Sequence, residues 1–368
     1  MKILQVMSSC SKESGVAQVI VRYYRYLHTS VKFDFLMFSR AENNFEEEIR
    51  SLGGNCFYIK RPSMKNINLF RRQLSDFFDQ HIGEYDAIQL HDLYLNPFVL
   101  KIAQSKGVKV RIAHSHTTEY SENFLPKIRN KILYMTLKKY ANVFFACSKD
   151  AGIFAFGKHI IDHNKFYVVN NAIDISQYIY SAENRTKIRS CLKIEEDEIV
   201  IGNVGRFSPQ KNHLFLIKIF KELCKLRGKH KLVLVGTGEG IASAKQLCED
   251  LAISDKVVFL GIRQDVGDIM SAMDIFCLPS IFEGLGNVLI EAQANSLPCI
   301  ASDVVPTEAA ILPSYRTMSL KKGASEWAET IFNTQLIRDY NAFEQVSRAG
   351  FNIQSAAERL LSIYDSIL

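Results

Sequence analysis

The feature that most constrains this chain is alternation. Short apolar runs and helix-length amphipathic segments take turns almost from end to end. KILQVM, FDFLMF, DAIQL, VKVRIA and VFFAC have the length and side-chain type of strands, with helical segments between them such as Val16–Leu27 and Asn66–Phe78. A second series, IVIGNVG, KLVLVG, KVVFLG, DIFCLP and PCIASD, starts at Ile199. Strands joined through helices run parallel, and parallel sheets need helices on both faces. The expected fold class is therefore α/β, with two Rossmann-like doubly wound domains facing a central cleft. The length of 368 residues suits two cores better than one.

The first series runs out near FYVVNNAIDISQY, Phe166–Tyr178. A polar helical stretch, Ser181–Leu192, and the acidic run Glu195–Glu198 precede the second series. This places domains at 1–173 and 174–350, followed by an amphipathic helical segment over 351–368. Ligands of such sheets bind beyond the carboxyl ends of the strands.

Composition excludes some classes. Hydrophobic residues make up 47% of the chain, yet no apolar run reaches the ~18–20 residues that span a bilayer. The N-terminal MKILQVMSSCSKESG turns polar at once, as a first strand does and a signal peptide does not. Eight cysteines are scattered without a CxxC pair, which suits a reduced, cytoplasmic chain. The formal charge of +6 is modest, and no nucleic-acid recognition motif accompanies it.

The chemistry concentrates in the second series. IFEGLGNVLIEAQANSLPCI, Ile281–Ile300, carries Glu283 on a glycine turn and Glu291 within the helical segment Asn287–Ala294. Gly284 and Gly286 let backbone N–H groups approach a ligand. The helix start favours an anion such as a diphosphate. Glu291, deeper along the helix, suits a diol such as ribose; Glu283 is placed for the hydroxyls of a second sugar. A ligand with a diol at each end and a diphosphate between is a nucleotide sugar. Two solvated surface glutamates would give the same letters. GNVGRFSPQKN adds Arg206 and Lys211 after Gly205, at the end of a strand. Two cations there can clamp a diphosphate, and two exposed surface cations are the plainer alternative. LVGTGEG places Gly236 in a turn after another strand but lacks the dinucleotide fingerprint, because position 241 is Ile241. FLGIRQDV brings Ile262 and Arg263 to the same edge, where they can flank a base.

Taken together and in this order, these motifs resemble the GT-B glycosyltransferases of the family 4 type (glycosyl transferases group 1), particularly bacterial enzymes of capsular or exopolysaccharide synthesis. The resemblance covers essentially the whole chain. EGLGNVLIE matches the family's E-x7-E, and VVNNAIDISQY matches its linker with Ala172 where glycine is usual. The resemblance implies retention of configuration, no metal and no cofactor, and a nucleoside diphosphate sugar donor with UDP as carrier. The acceptor it implies is a glycan or a lipid-linked sugar. It implies catalytic roles for Arg206, Lys211, Glu283 and His116. Donor binding falls to Gly15, Gly205, Arg206, Lys211, Gly236, Ile262, Arg263, Glu283, Gly284, Leu285, Gly286, Asn287 and Glu291. It also implies that the last helix crosses back to the first domain.

The first series is less marked. SSCSKESGVAQ matches the family's first loop, with Gly15 kept, Ser14 in place of the first glycine and Gln18 in place of Glu. RIAHSHTTEY puts His114 and His116 at a strand end; the HTT run favours His116 as the family's active-site histidine. LHDLYL offers His91 and Asp92. His91 and His114 are therefore expected on the acceptor side. Between Glu122 and Asp150 there is no acid, while Lys127, Arg129, Lys131, Lys138 and Lys139 interleave with Leu125, Ile128, Ile132, Leu133 and Leu137. A basic amphipathic segment over 125–140 fits peripheral contact with the inner leaflet of a membrane, and fits equally a solvated face over a core. Two other functions share the architecture: a sugar-nucleotide epimerase, and a non-catalytic subunit that binds nucleotide or glycan.

Overall fold

The computed structural model describes residues 1–63, 65–81, 83–118, 120 and 124–368. The described residues divide into one unit of Met1–Ala172 with Ile353–Leu368 and another of Ile173–Asn352.

The first unit is built on seven parallel strands: β1 (Lys2–Met7), β2 (Lys32–Met37), β3 (Cys56–Tyr58), β4 (Ala87–Leu90), β5 (Val110–Ser115), β6 (Val143–Ala146) and β7 (Phe166–Val168). Their order is β3-β2-β1-β4-β5-β6-β7, so the direction of winding reverses between β1 and β4. Central strands such as β4 and β6 are buried along their whole length, as sheets covered on both faces require. Helix starts are set by side chains: Ser14 caps Gly15–Leu27 by accepting from the Ala17 N–H at 3.3 Å, and Ser148 does the same for Lys149–Phe156. The C-terminal helix Ile353–Ile367 buries Ile353, Ala356, Ala357, Leu360, Ile363 and Tyr364, a stripe of helical period, in this unit's core. Tyr364 packs edge-on against Phe33 and donates to Gln89 Oε1 at 2.7 Å.

The second unit has six parallel strands: β8 (Glu198–Val204), β9 (Lys229–Val235), β10 (Val257–Phe259), β11 (Ile275–Leu278), β12 (Cys299–Ser302) and β13 (Tyr315–Met318). The order is β10-β9-β8-β11-β12-β13, with the reversal between β8 and β11. Phe207, Phe220, Ile201, Ile275 and Trp327 anchor a core on one face. Two parallel sheets with covering helices make the class α/β.

Two details differ from the sequence expectation. Strands β3, β7 and β13 were not foreseen; each is short, lies at a sheet edge, and carries polar or half-exposed residues. Strand β5 begins two residues later than VKVRIA and runs to Ser115, because its ladder with β6 continues through His114↔Phe145 and Ser115↔Ala146. No described helix is long and apolar enough to cross a membrane.

Candidate functional site

The second unit concentrates its polar chemistry at the reversal point, beyond the carboxyl ends of β8 and β11. Strand reversal opens a crevice there, because the connections leave in opposite directions. The segment after β8 is Gly205–Asn212 and that after β11 is Pro279–Gly286. They are laced together. Asn212 Nδ2 donates to the Pro279 carbonyl at 3.1 Å, Gln210 Nε2 to that of Phe282 at 3.0 Å, and the Ile281 N–H to that of Gln210 at 2.8 Å. Asn212 adopts a left-handed conformation that turns the chain into helix His213–Leu223.

Across this lacing lies an ion pair. Lys211 Nζ is 2.6 Å from Glu283 Oε1, with side-chain exposures of 18% and 6%. Ser280 Oγ donates to the same oxygen at 2.7 Å. A buried carboxylate needs such partners, and here a cation and a hydroxyl supply them. An ammonium has three donors, so Lys211 can serve Glu283 and an incoming anion together. Arg206 stands apart: its guanidinium is 72% exposed and meets only Glu239 at 3.2 Å among the ion pairs of the described residues. Such a surface pair is weak and readily exchanged for a ligand.

Gly286 is in the left-handed region (φ 82°) and starts helix Asn287–Ala294, whose first turn carries no acid. Its N-terminus turns backbone N–H groups and the positive end of the helix dipole toward the lacing. Asn287 and Glu291 share one face of this helix at i, i+4 spacing. Leu285 is buried, so only its backbone is available to a ligand. At the neighbouring strand ends, Gly236 has φ 130°, and a Cβ there would sit 2.1 Å from the Gly205 carbonyl oxygen. Ile262 is exposed, whereas Arg263 is held by Asp265 through contacts of 2.8 and 2.6 Å.

His213, next in sequence after the lacing, stacks on Phe207 at 4.0 Å between ring centroids. Burial, with the charge of Lys211 nearby, lowers its pKa to about 4.

In the first unit, Gly15 opens helix Gly15–Leu27, and a Cβ there would meet no atom within 4 Å. Gln18, where the family has Glu, donates to the Lys12 carbonyl at 2.7 Å. The histidines are brought together by strand pairing. Leu90 faces Ala113 in the β4–β5 ladder, so His91 and His114 are lateral neighbours. His91 Nδ1 is 2.8 Å from His116 Nε2, and its Nε2 is 2.8 Å from Gln5 Oε1. His114 Nδ1 is 2.9 Å from Gln89 Nε2. Strand β5 runs to Ser115, so His114 is its penultimate residue and is 1% exposed, while His116, beyond the strand, is part-exposed. Burial holds the pKa values of His91 and His114 well below the usual imidazole range and brings His116 to about 3. Asp92 accepts from Ser8 Oγ at 2.8 Å, and burial raises its pKa.

Ser280, Gln210 and Gln5 were not singled out from sequence. Each is an ordinary polar residue that gains meaning only when two strand ends become neighbours.

Comparison with known proteins gives the family. Residues 184–343 match the model of glycosyl transferases group 1, and residues 14–177 match that of Glycosyltransferase Family 4. Over 99% of this chain and 96% of the relative, the sequence is 31% identical to a Bacillus subtilis (strain 168) protein named "Putative glycosyltransferase EpsF". The chain belongs to the group 1, family 4 glycosyltransferases. The transferase is also 31% identical, over 39% of its length and 38% of the relative's, to the Escherichia coli UDP-Gal:alpha-D-GlcNAc-diphosphoundecaprenol alpha-1,3-galactosyltransferase. Its fold matches the crystal structure of Anabaena HepE in complex with UDP and glucose, with a TM-score of 0.80 at 19% identity and full coverage of both chains. That likeness makes the architecture GT-B.

Proposed function

We propose that this transferase moves a sugar from UDP to a hydroxyl of a glycan or lipid-linked oligosaccharide during surface-polysaccharide synthesis, with retention and without metal. The observation that carries the proposal is the Lys211–Glu283 pair, fixed beside a helix N-terminus at the strand-reversal point of the second unit. The HepE complex with UDP and glucose supports the carrier, and the name of the E. coli relative supports a diphosphate-lipid acceptor.

In this proposal the diphosphate lies against Arg206, Lys211 and the backbone of Gly284–Asn287, near the glycines at 205 and 236. Glu291 takes the ribose hydroxyls, and Glu283 and His116 meet the transferred sugar. Gly15 admits the phosphate closely, the base lies near Ile262 and Arg263, and His91 and His114 stay on the acceptor side. Breaking the bond from the anomeric carbon to the phosphate oxygen leaves negative charge on the terminal phosphate. Lys211 and the helix dipole are already in place to stabilise it. That phosphate then takes the acceptor's proton on the face where the new bond forms, so no separate protein base is needed.

The helix Phe124–Tyr134 supports contact with a membrane. Leu125, Ile128, Ile132 and Met135 are exposed beside the basic Lys127, Arg129 and Lys131, whereas Leu137 and Tyr140 of the next turn are buried. An apolar stripe flanked by cations suits an anionic leaflet.

The test is single-turnover transfer from UDP-sugars to polyprenyl-diphosphate-linked sugars, with the anomeric outcome read by NMR. Lys211→Met should lower the rate at saturating donor by roughly 100-fold. An unchanged rate would contradict the assignment, and conversion of donor without acceptor would point to an epimerase.

A further inference from the structure

The histidine cluster of the first unit contains more than one sugar-contacting histidine would need. His91, His114 and His116 each offer a ring nitrogen, and the three atoms lie within 4.8 Å of one another. The ring centroids are 4.0 Å apart for His114 and His116, 5.1 Å for His91 and His116, and 5.3 Å for His91 and His114. Two of these rings are gripped from behind. Gln5 Oε1 can only accept, so His91 must carry its proton on Nε2, which leaves the Nδ1 lone pair turned toward the cluster. His114 is held at Nδ1 by the Gln89 amide, which Tyr364 Oη contacts in turn. Among the described residues its Nε2 has no hydrogen-bond partner, nor does His116 Nδ1. Buried ring nitrogens are normally paired, and two neighbouring ones without a partner among the described residues suit a shared ligand.

We propose that His91, His114 and His116 form a binding site for one divalent transition-metal ion of the Zn2+ class. Imidazole is the ligand type that suits Zn2+, Co2+, Ni2+ and Cu2+ rather than Mg2+. Gln5 and Gln89 act as the outer partners that orient ligating histidines through their far nitrogens. The Gln89 amide turns over, so that its oxygen accepts from His114 Nδ1–H and its nitrogen faces Tyr364 Oη. His91 Nδ1 exchanges its hydrogen bond to His116 for the ion. Such an ion is an inhibitor rather than a cofactor, because it occupies the histidine that the proposed transfer assigns to the sugar.

The experiment is titration of the full-length, tag-free, metal-stripped protein with Co2+ and then Zn2+, read by visible absorption and by melting temperature. One equivalent of Co2+ should give a d–d spectrum that Zn2+ abolishes, and Zn2+ should raise the melting temperature while Mg2+ does not. His91→Gln and His114→Gln should lose the spectrum. Gln5→Leu should weaken Zn2+ by about 10–100-fold. X-ray absorption of the Zn2+-loaded wild type should show imidazole ligation, a readout that needs no variant to fold. Absence of the spectrum in the wild type would overturn the site, as would equal binding by a folded His114→Gln. Binding is read without donor or acceptor, so this outcome is separate from that of the transfer proposal.

Discussion

His213 is a buried residue pressed flat on Phe207, and neither of its ring nitrogens has a hydrogen-bond partner among the described residues. Its folded pKa of about 4 lies below the ordinary 6.5. The folded state therefore excludes a proton that the unfolded state binds. The stability it contributes is fully present above pH 6.5 and is lost as the pH falls toward 4. At pH 5 this one group should cost about 2 kcal/mol relative to pH 7. His213→Phe should flatten that part of the stability–pH curve, measured by urea unfolding at the two pH values; an identical drop in the variant would refute the assignment. His213 was not legible as a special residue, because its burial depends on a ring six positions earlier folding back over it. Glu283 and Glu291 were marked as candidates by their spacing around a glycine turn, and the structure pairs the first of them with Lys211. Ser280 was not: a serine becomes informative only through the oxygen it shares with Lys211.

Among elements, the strand ends of the second unit carry the proposed site, and their closeness depends on backbone. At Gly236 the backbone conformation is one that side chains disfavour, and the Gly205 carbonyl occupies the space a Cβ would need. Gly236→Ala should cost roughly 1–3 kcal/mol and displace the segment that carries Arg206 and Lys211. The check is a paired measurement of unfolding free energy and UDP affinity, with both expected to fall; loss of neither would show that the strand ends are not coupled. Elements with strong apolar runs were readable from sequence, and helix Asn287–Ala294 falls on the expected residues. Strands β3, β7 and β13 were hidden because an edge strand has only one neighbour and needs little apolar side chain. The true end of β5 was hidden because the ladder with β6, rather than residue type, carries it through His114.

On the scale of the whole chain, the C-terminal helix is sequence-distant from the unit whose core it completes. Tyr364 is fully buried against Phe33 and Phe145 and reaches Gln89. Tyr364→Ala should destabilise the first unit by about 3–5 kcal/mol and spare the second, as resolved by residue-specific hydrogen exchange. Uniform loss of protection would contradict the division into two units. The alternation of strands and helices made this α/β architecture readable, but the lateral meeting of His91 with His114 required the strand order.

The central claim is that the second unit seats a uridine diphosphate across Lys211 and the Asn287–Ala294 helix start. Thermal unfolding with UDP, GDP, ADP and NAD at equal concentrations, on wild type and Lys211→Met, tests it most directly. A ligand at a hundred times its dissociation constant should add roughly 2.7 kcal/mol of stability. The account predicts a shift with UDP that exceeds the others and shrinks in Lys211→Met. A shift with NAD alone, or a UDP shift unchanged in the variant, would contradict it.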